Sequence, residues 1–101
     1  MTSRIPTHPG EILRDELEAR RMSANVLAKA LGVDAPRISE ILKLRRSVTP
    51  ETAIRLAAYF GGSPSVWLRL QLDYDLARLD AERGEEIRHQ IRPPVEITSP
   101  A

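Results

Sequence analysis

Signals that begin a helix recur five times along this chain, and they limit its fold more than any other feature. Three starts place Pro in the first turn after a capping Asp, Thr or Ser, where the missing N–H of Pro breaks no bond. The five starts lie at Pro9, Ser23, Asp34, Thr49 and Ser63. Gly32 and the Gly61-Gly62 pair end the second and fourth segments.

Apolar residues at spacings of three and four follow each start, as on the buried face of a helix. The pattern predicts helices over residues 9–20, 24–31, 35–43, 50–60 and 64–84. Aromatic residues make up only 4% of the chain, so Leu, Ile, Val and Ala must form the core, and Leu and Ala favour helices. The sequence therefore predicts an all-α fold.

The 101 residues suit one domain. We expect it over residues 1–84, with a flexible arm at 1–8. We expect a short tail over residues 85–101, extended or mobile beyond a last helical turn at 85–91, because prolines interrupt it. The chain has no Cys and no apolar run of the roughly 20 residues that cross a membrane, and residues 1–10 lack the apolar core typical of a signal peptide. We expect a cytoplasmic protein.

Residues 23–44 have the pattern of a helix-turn-helix. The small side chain of Ala28 lets two short helices approach, and Gly32 allows the turn between them. Val33 and Ile38 fill the space that the two helices enclose. In this motif the second helix enters the major groove of DNA.

Basic residues are concentrated around this motif. Residues 20–46 include seven basic and two acidic residues, although the formal net charge of the chain is only +1, so the remainder is net acidic. A local positive face fits a phosphate-binding surface, but charge alone fits a solvated helix face equally well. The helix-turn-helix pattern favours the interpretation of this surface as a DNA-binding face.

The start and the solvent face of the second helix of the motif would reach base edges. The expected base contacts are Asp34, Ala35, Pro36, Arg37, Ser39, Glu40 and Lys43. The expected phosphate contacts, which position the protein without reading sequence, are Ser23, Asn25, Arg45, Arg46 and Ser47. Arg37 could bind a guanine or a phosphate, and Glu40 could accept from cytosine or pair with Arg37 or Lys43 in the free protein.

The fifth segment is too apolar for the surface helix of a monomer. Its leucines lie on more than one side, which predicts that a second copy of the chain covers part of it. The expected dimer contacts are Trp67, Leu70, Tyr74, Leu76 and Leu79.

The sequence contains no residue pattern typical of a catalytic site. His8 lies in the arm and His89 in the tail, and no His pair has metal-ligand spacing. The Ser residues have no nearby His partner in a recognised order. We expect no enzyme activity, no metal and no cofactor.

Three stretches in order resemble the HigA-type antitoxins, a group within the Xre/Cro-like (lambda-repressor-like) helix-turn-helix regulators. They are residues 8–13, residues 27–33 with 37–41, and the stretch from Thr49 to Leu76. The resemblance covers about residues 8–79 and implies a five-helix fold with an extended C-terminal helix. It also implies a dimer that binds an inverted repeat in its own operator and represses the operon. The same protein would neutralise a RelE-like, HigB-type toxin, an mRNA endonuclease.

Two positions depart from the family pattern. Leu44 stands where the family usually has Gly after the recognition helix, so the end of that helix should change, by extension or by a reshaped loop. Ala24 replaces a Gln that often holds a phosphate, which removes that contact or moves it to Asn25.

Two alternatives stay open. One is a stand-alone Xre-type repressor without a toxin. The other, which the departures at Ala24 and Leu44 make conceivable, is a protein-interaction module whose helix-turn-helix no longer reads DNA. Salt-sensitive operator binding would exclude the second alternative, and a neighbouring gene for a short basic protein would argue against the first.

Overall fold

The computed structural model describes residues 6–94, which form five helices. These are α1 (Pro9–Arg20), α2 (Ala24–Leu31), α3 (Ala35–Leu42), α4 (Pro50–Phe60) and α5 (Pro64–Gln90). The predicted all-α fold is confirmed, and all five helices begin where the sequence signals place them. Most of the expected arm and the last part of the expected tail, residues 1–5 and 95–101, lie outside the described residues.

Side chains of the capping residues hold the first turns of four of the described helices. Ser23, Thr49 and Ser63 each accept, through the hydroxyl oxygen, a hydrogen bond from an amide of the next turn at 3.1–3.3 Å. These bonds satisfy N–H groups that a helix start otherwise leaves free. The fourth capping residue is His8, whose Nδ1 accepts from the amide of Gly10 at 2.8 Å.

His8 was expected in the flexible arm, and that expectation is wrong for this residue. Its side chain is buried, and its ring stands edge-on to the ring of Tyr74 with centroids 4.7 Å apart. Burial lowers the pKa of His8, and the nearby carboxylates of Asp75 and Glu11 oppose that shift to a smaller extent. A neutral imidazole at this site joins the start of α1 to α5.

The hydrophobic core lies where α1 to α4 meet the first turns of α5. Its fully buried aliphatic side chains include Leu13, Leu27, Ile38, Ile41 and Leu56. Trp67 completes this core from α5, with only 7% of its surface exposed and its ring 6.4 Å from that of Phe60. Trp67 is therefore a core residue, and its assignment to a dimer interface is corrected.

The fifth helix continues beyond the end that the sequence indicated. Gly84 was expected to end it, yet α5 runs on to Gln90, because a single Gly lowers helix stability without breaking the helix. The side chains of Asp80 and Arg88 form an ion pair across Gly84, where a Cβ would collide with the Asp80 carboxylate. At about 1.5 Å per residue, the 27 residues of α5 span about 40 Å. Within residues 6–94, none of the helices has the length and apolar character needed to span a membrane.

Candidate nucleic-acid interface

The turn between α2 and α3 has the geometry of a helix-turn-helix. Gly32 ends α2 at φ 76°, a left-handed conformation in which a side chain would be strained. The amide of Val33 donates to the carbonyl of Ala28 at 3.0 Å and closes the turn. Ala28 and Ile38 are buried between the two helices, as the motif requires.

Arg55, on α4, stabilises this turn through a hydrogen bond to the end of α2. Its guanidinium donates to the carbonyl oxygen of Leu31 at 2.8 Å, so it satisfies an acceptor at the end of α2. It also donates to the carboxylate of Glu51 at 3.1 Å. Sequence reasoning missed both residues, because their i, i+4 spacing looks like any exposed ion pair on a helix.

Most of the expected base-contact residues lie on the outer side of α3 or at its two ends, whereas Ala35 packs against the core on the same face as Ile38. Ile38 and Ile41 point into the core, which leaves the opposite face and the start of the helix to the solvent. Asp34, Pro36 and Lys43 are exposed there. The remaining four expected residues are half-buried along the same helix: Ala35, Arg37, Ser39 and Glu40.

Arg37 is held by carboxylates in the free protein. Its guanidinium lies 3.1 Å from Glu51 and 3.8 Å from Asp34, and its side chain is 26% exposed. Hydrogen bonds from Arg55 and Arg37 lower the pKa of Glu51. Asp34 occupies the N-cap position of α3 but makes no side-chain capping bond. The carboxylates therefore fix Arg37 at the edge of the surface that would face DNA.

Glu40 forms an ion pair with Arg46 at 3.0 Å. The sequence left open whether Glu40 would read cytosine or pair with Arg37 or Lys43, and in this structure it pairs with a different cation, Arg46. Because both side chains are close to half exposed, the ion pair is weak. Arg46 could therefore release Glu40 to bind a phosphate, and Glu40 would then be available to a base.

The segment from Lys43 to Thr49, here called the basic loop, connects α3 to α4. α3 ends at Leu42, so Leu44 does not extend the helix. Instead Leu44 adopts φ 63°, the left-handed conformation that Gly usually takes at this point, and its amide donates to the carbonyl of Ile41 at 3.0 Å. Lys43, Arg45, Arg46 and Ser47 are exposed along this loop.

The far end of the basic loop is fixed to α5. The amide of Val48 donates to the side-chain oxygen of Gln71 at 2.8 Å, and both residues are buried. Gln71 also lacked a distinctive sequence signal, since a polar residue in an apolar helix is usually read as exposed.

The start of α2 supplies the remaining expected phosphate contacts. Ser23 is exposed, with its hydroxyl oxygen accepting from the amide of Val26, and Asn25 is exposed beside it. Ala24 is half-buried against the core, so Asn25 is the neighbouring side chain that can take over the missing Gln contact.

A row of exposed leucines runs along the outer part of α5. Leu72, Leu76 and Leu79 are 57%, 64% and 46% exposed and follow one another at helical spacing, so they share one face. Leu76 and Leu79 belong to the expected dimer contacts, whereas Leu72 was missed. Leu70 and Tyr74, also expected there, are half-buried, and the ring of Tyr74 packs on His8.

Comparison with known proteins places the chain among helix-turn-helix proteins. The sequence model of the family described as Helix-turn-helix matches residues 13–67, more than half of the chain. Virulence-associated protein I of Dichelobacter nodosus is 48% identical over 77 residues, which cover 75% of this chain and 71% of that protein.

Two solved structures share the fold over almost their whole length. An addiction-module antidote protein of the HigA family from Coxiella burnetii is 43% identical, with a TM-score of 0.82 over 90% of this chain and 100% of that one. The antitoxin HigA of Pseudomonas aeruginosa, solved with the higBA promoter, is 44% identical, with a TM-score of 0.82 over 89% of this chain and 99% of that one.

Proposed function

Because the chain belongs to the helix-turn-helix family, in the group of the HigA-type antitoxins, we propose that it represses its own operon and neutralises a toxin. As a dimer it would bind an inverted repeat in the operator. The toxin would be a RelE-like, HigB-type mRNA endonuclease. The observation that carries the DNA-binding part is the exposed face of α3 continuing into the basic loop.

The geometry of this face supports major-groove binding. α3 has its apolar side in the core and its polar side outward, and the basic loop adds Lys43, Arg45 and Arg46 directly beyond its end. An α-helix fits the major groove, and flanking cations hold the phosphates on either side of it. The Pseudomonas aeruginosa relative, solved with a promoter, has the same fold.

The exposed leucines of α5 support a dimer. Three large apolar side chains on one face are costly to leave in water, and a second copy of α5 would cover them. Two recognition helices related by a two-fold axis would then meet successive major grooves, about 34 Å apart.

Charge supports the toxin-binding part. The chain outside residues 20–46 is net acidic, and Glu11, Asp15 and Glu18 are exposed on α1. A basic toxin would be attracted to such a surface and would leave the basic face for DNA. Repression and neutralisation would then use separate surfaces of one dimer.

Co-expression of the tagged protein with the product of the adjacent gene tests the antitoxin part. Recovery of a small basic protein that arrests growth when expressed alone is the expected result. Recovery of no partner, together with specific and salt-sensitive binding of the upstream DNA, would leave a stand-alone repressor. Loss of both activities would leave an interaction module.

A further inference from the structure

We infer that Gln71, on α5, is a positioning residue for DNA binding, because its buried amide holds the basic loop in place. The inference rests on the proposed function, since it assumes that the loop contacts phosphates. Gln71 itself is 5% exposed and lies beneath the loop, so it would act through the loop and not by touching DNA.

The two ends of the basic loop are held in different ways. At the start, the amides of Leu44 and Arg45 donate to carbonyls of α3 at 3.0 and 2.9 Å. At the far end, the amide of Val48 donates to the Gln71 side chain at 2.8 Å, one residue before Thr49 caps α4. At this end the buried Val48 side chain anchors the loop in the core, and the hydrogen bond to Gln71 fixes the backbone beside it.

The orientation of the Gln71 amide is also fixed. Its nitrogen donates to Asp75, one turn further along α5, at 2.9 Å, which leaves its oxygen for Val48. A buried amide with both ends bonded has one orientation, because reversing it would break both bonds. Asp75 therefore supports the hydrogen bond between Gln71 and Val48.

Without the hydrogen bond to Gln71, the loop would have room to move. A cavity of about 90 Å³ lies between the loop and α5, lined by residues that include Leu44, Arg45, Tyr74 and Arg78. A loop no longer tied to Gln71 could settle into this space and draw Arg45 and Arg46 away from the phosphates. We therefore expect Gln71 to control how many phosphates the loop binds.

Gln71→Met tests this inference, because Met has a similar length but replaces the amide oxygen by a sulfur that is only a weak acceptor for the Val48 amide. Hydrogen exchange of the Val48 amide should become faster. At about 0.1 M salt, affinity for the DNA upstream of the gene should fall about 10-fold. The salt dependence of log K should become shallower by one to two units, at about 0.9 for each phosphate that the variant no longer binds.

Two further variants control for folding. Leu68→Ala removes a half-buried side chain from the same helix, so it should lower stability but leave the salt dependence unchanged. If Gln71→Met fails to fold, Gln71→Glu serves, since it keeps the acceptor for Val48 but places a second carboxylate beside Asp75. It should give a smaller change in the same direction.

The outcomes separate the two proposals. Unchanged affinity and salt dependence in folded Gln71→Met, with the wild-type protein binding normally, would overturn the role of Gln71. Unchanged exchange at Val48 would overturn it without any DNA. Failure of the wild-type protein to bind the upstream DNA would instead contradict the proposed function.

Discussion

Arg37, in the first turn of α3, is bound to Glu51, in the first turn of α4, with 3.1 Å between nitrogen and oxygen. The bond joins the helix that would read DNA to the helix behind it. An arginine held in this way loses less conformational entropy when it binds a base or a phosphate. The free protein thus presents Arg37 at a defined place.

Arg37→Ala is expected to weaken operator binding by about 1–3 kcal/mol if Arg37 reads a base. Titration of labelled operator and of random DNA at one salt concentration measures both affinities. Arg69→Ala is the matched control, because it removes one exposed positive charge from α5, outside the basic stretch of residues 20–46. An equal loss on operator and random DNA would assign Arg37 to a phosphate.

Leu76→Asp is expected to convert a dimer into a monomer, because it puts a charge in the middle of the exposed leucine row. Light scattering at micromolar concentration gives the mass directly. Ile54→Asp changes a similarly exposed side chain on α4 and should leave the mass unchanged. A monomeric wild-type protein under these conditions would contradict the dimer.

Leu44→Gly is expected to be more stable than Leu44→Ala by about 1 kcal/mol. Both variants remove the same packing, but only Ala keeps a side chain at φ 63°. Urea denaturation compares their free energies of unfolding. At the exposed Ala81, in the interior of α5, the order should reverse, since Ala81→Gly lowers helix stability by about 1 kcal/mol. The same order at both positions would argue against strain at Leu44.

The free energy of unfolding is expected to decrease as the pH is lowered, because His8 then takes up a proton. Burial lowers the pKa of His8, so below its ordinary value of 6.5 the unfolded chain takes up the proton more readily than the folded one. The stabilisation by neutral His8 is therefore complete above that value and is lost as the pH falls through the lower pKa of the folded state.

His8→Asn isolates this effect, because Asn can cap α1 through its side-chain oxygen but does not titrate. Urea denaturation at about pH 7.5 and pH 5.5 should show a larger loss of unfolding free energy for the wild type than for the variant. Equal losses would mean that another group causes the pH dependence.

Local signals in the sequence were enough to predict the helices. Caps and prolines act within one turn, so Thr49-Pro50 and Ser63-Pro64 mark a start whatever surrounds them. Gly32 likewise marks the helix-turn-helix, because few residues other than Gly accept its φ. The end of α5 was predicted wrongly because Gly84 has no left-handed φ and lies inside a helix supported by ion pairs.

Contacts between distant helices could not be read from local signals. Glu51 with Arg37 and Gln71 with Val48 join residues 14 and 23 positions apart. The direction of the Trp67 side chain depends on how α5 packs. Its apolar character predicted that it would be buried, but not whether the core of its own chain or a second copy would cover it. Leu44 was identified as unusual, yet the sequence did not indicate that the backbone would keep the conformation typical of Gly.

The uninterrupted course of α5 has a consequence for operator geometry. The same rigid rod carries Gln71 beneath the basic loop and Leu76 and Leu79 on its outer face. In a dimer joined along those leucines, the spacing between half-sites would be set by the length and phase of this helix. Insertion of one residue between Gln71 and Leu76 would turn the outer face by about 100° and shift it by about 1.5 Å. The preferred operator spacing would change with it, although every residue expected to contact DNA stayed the same.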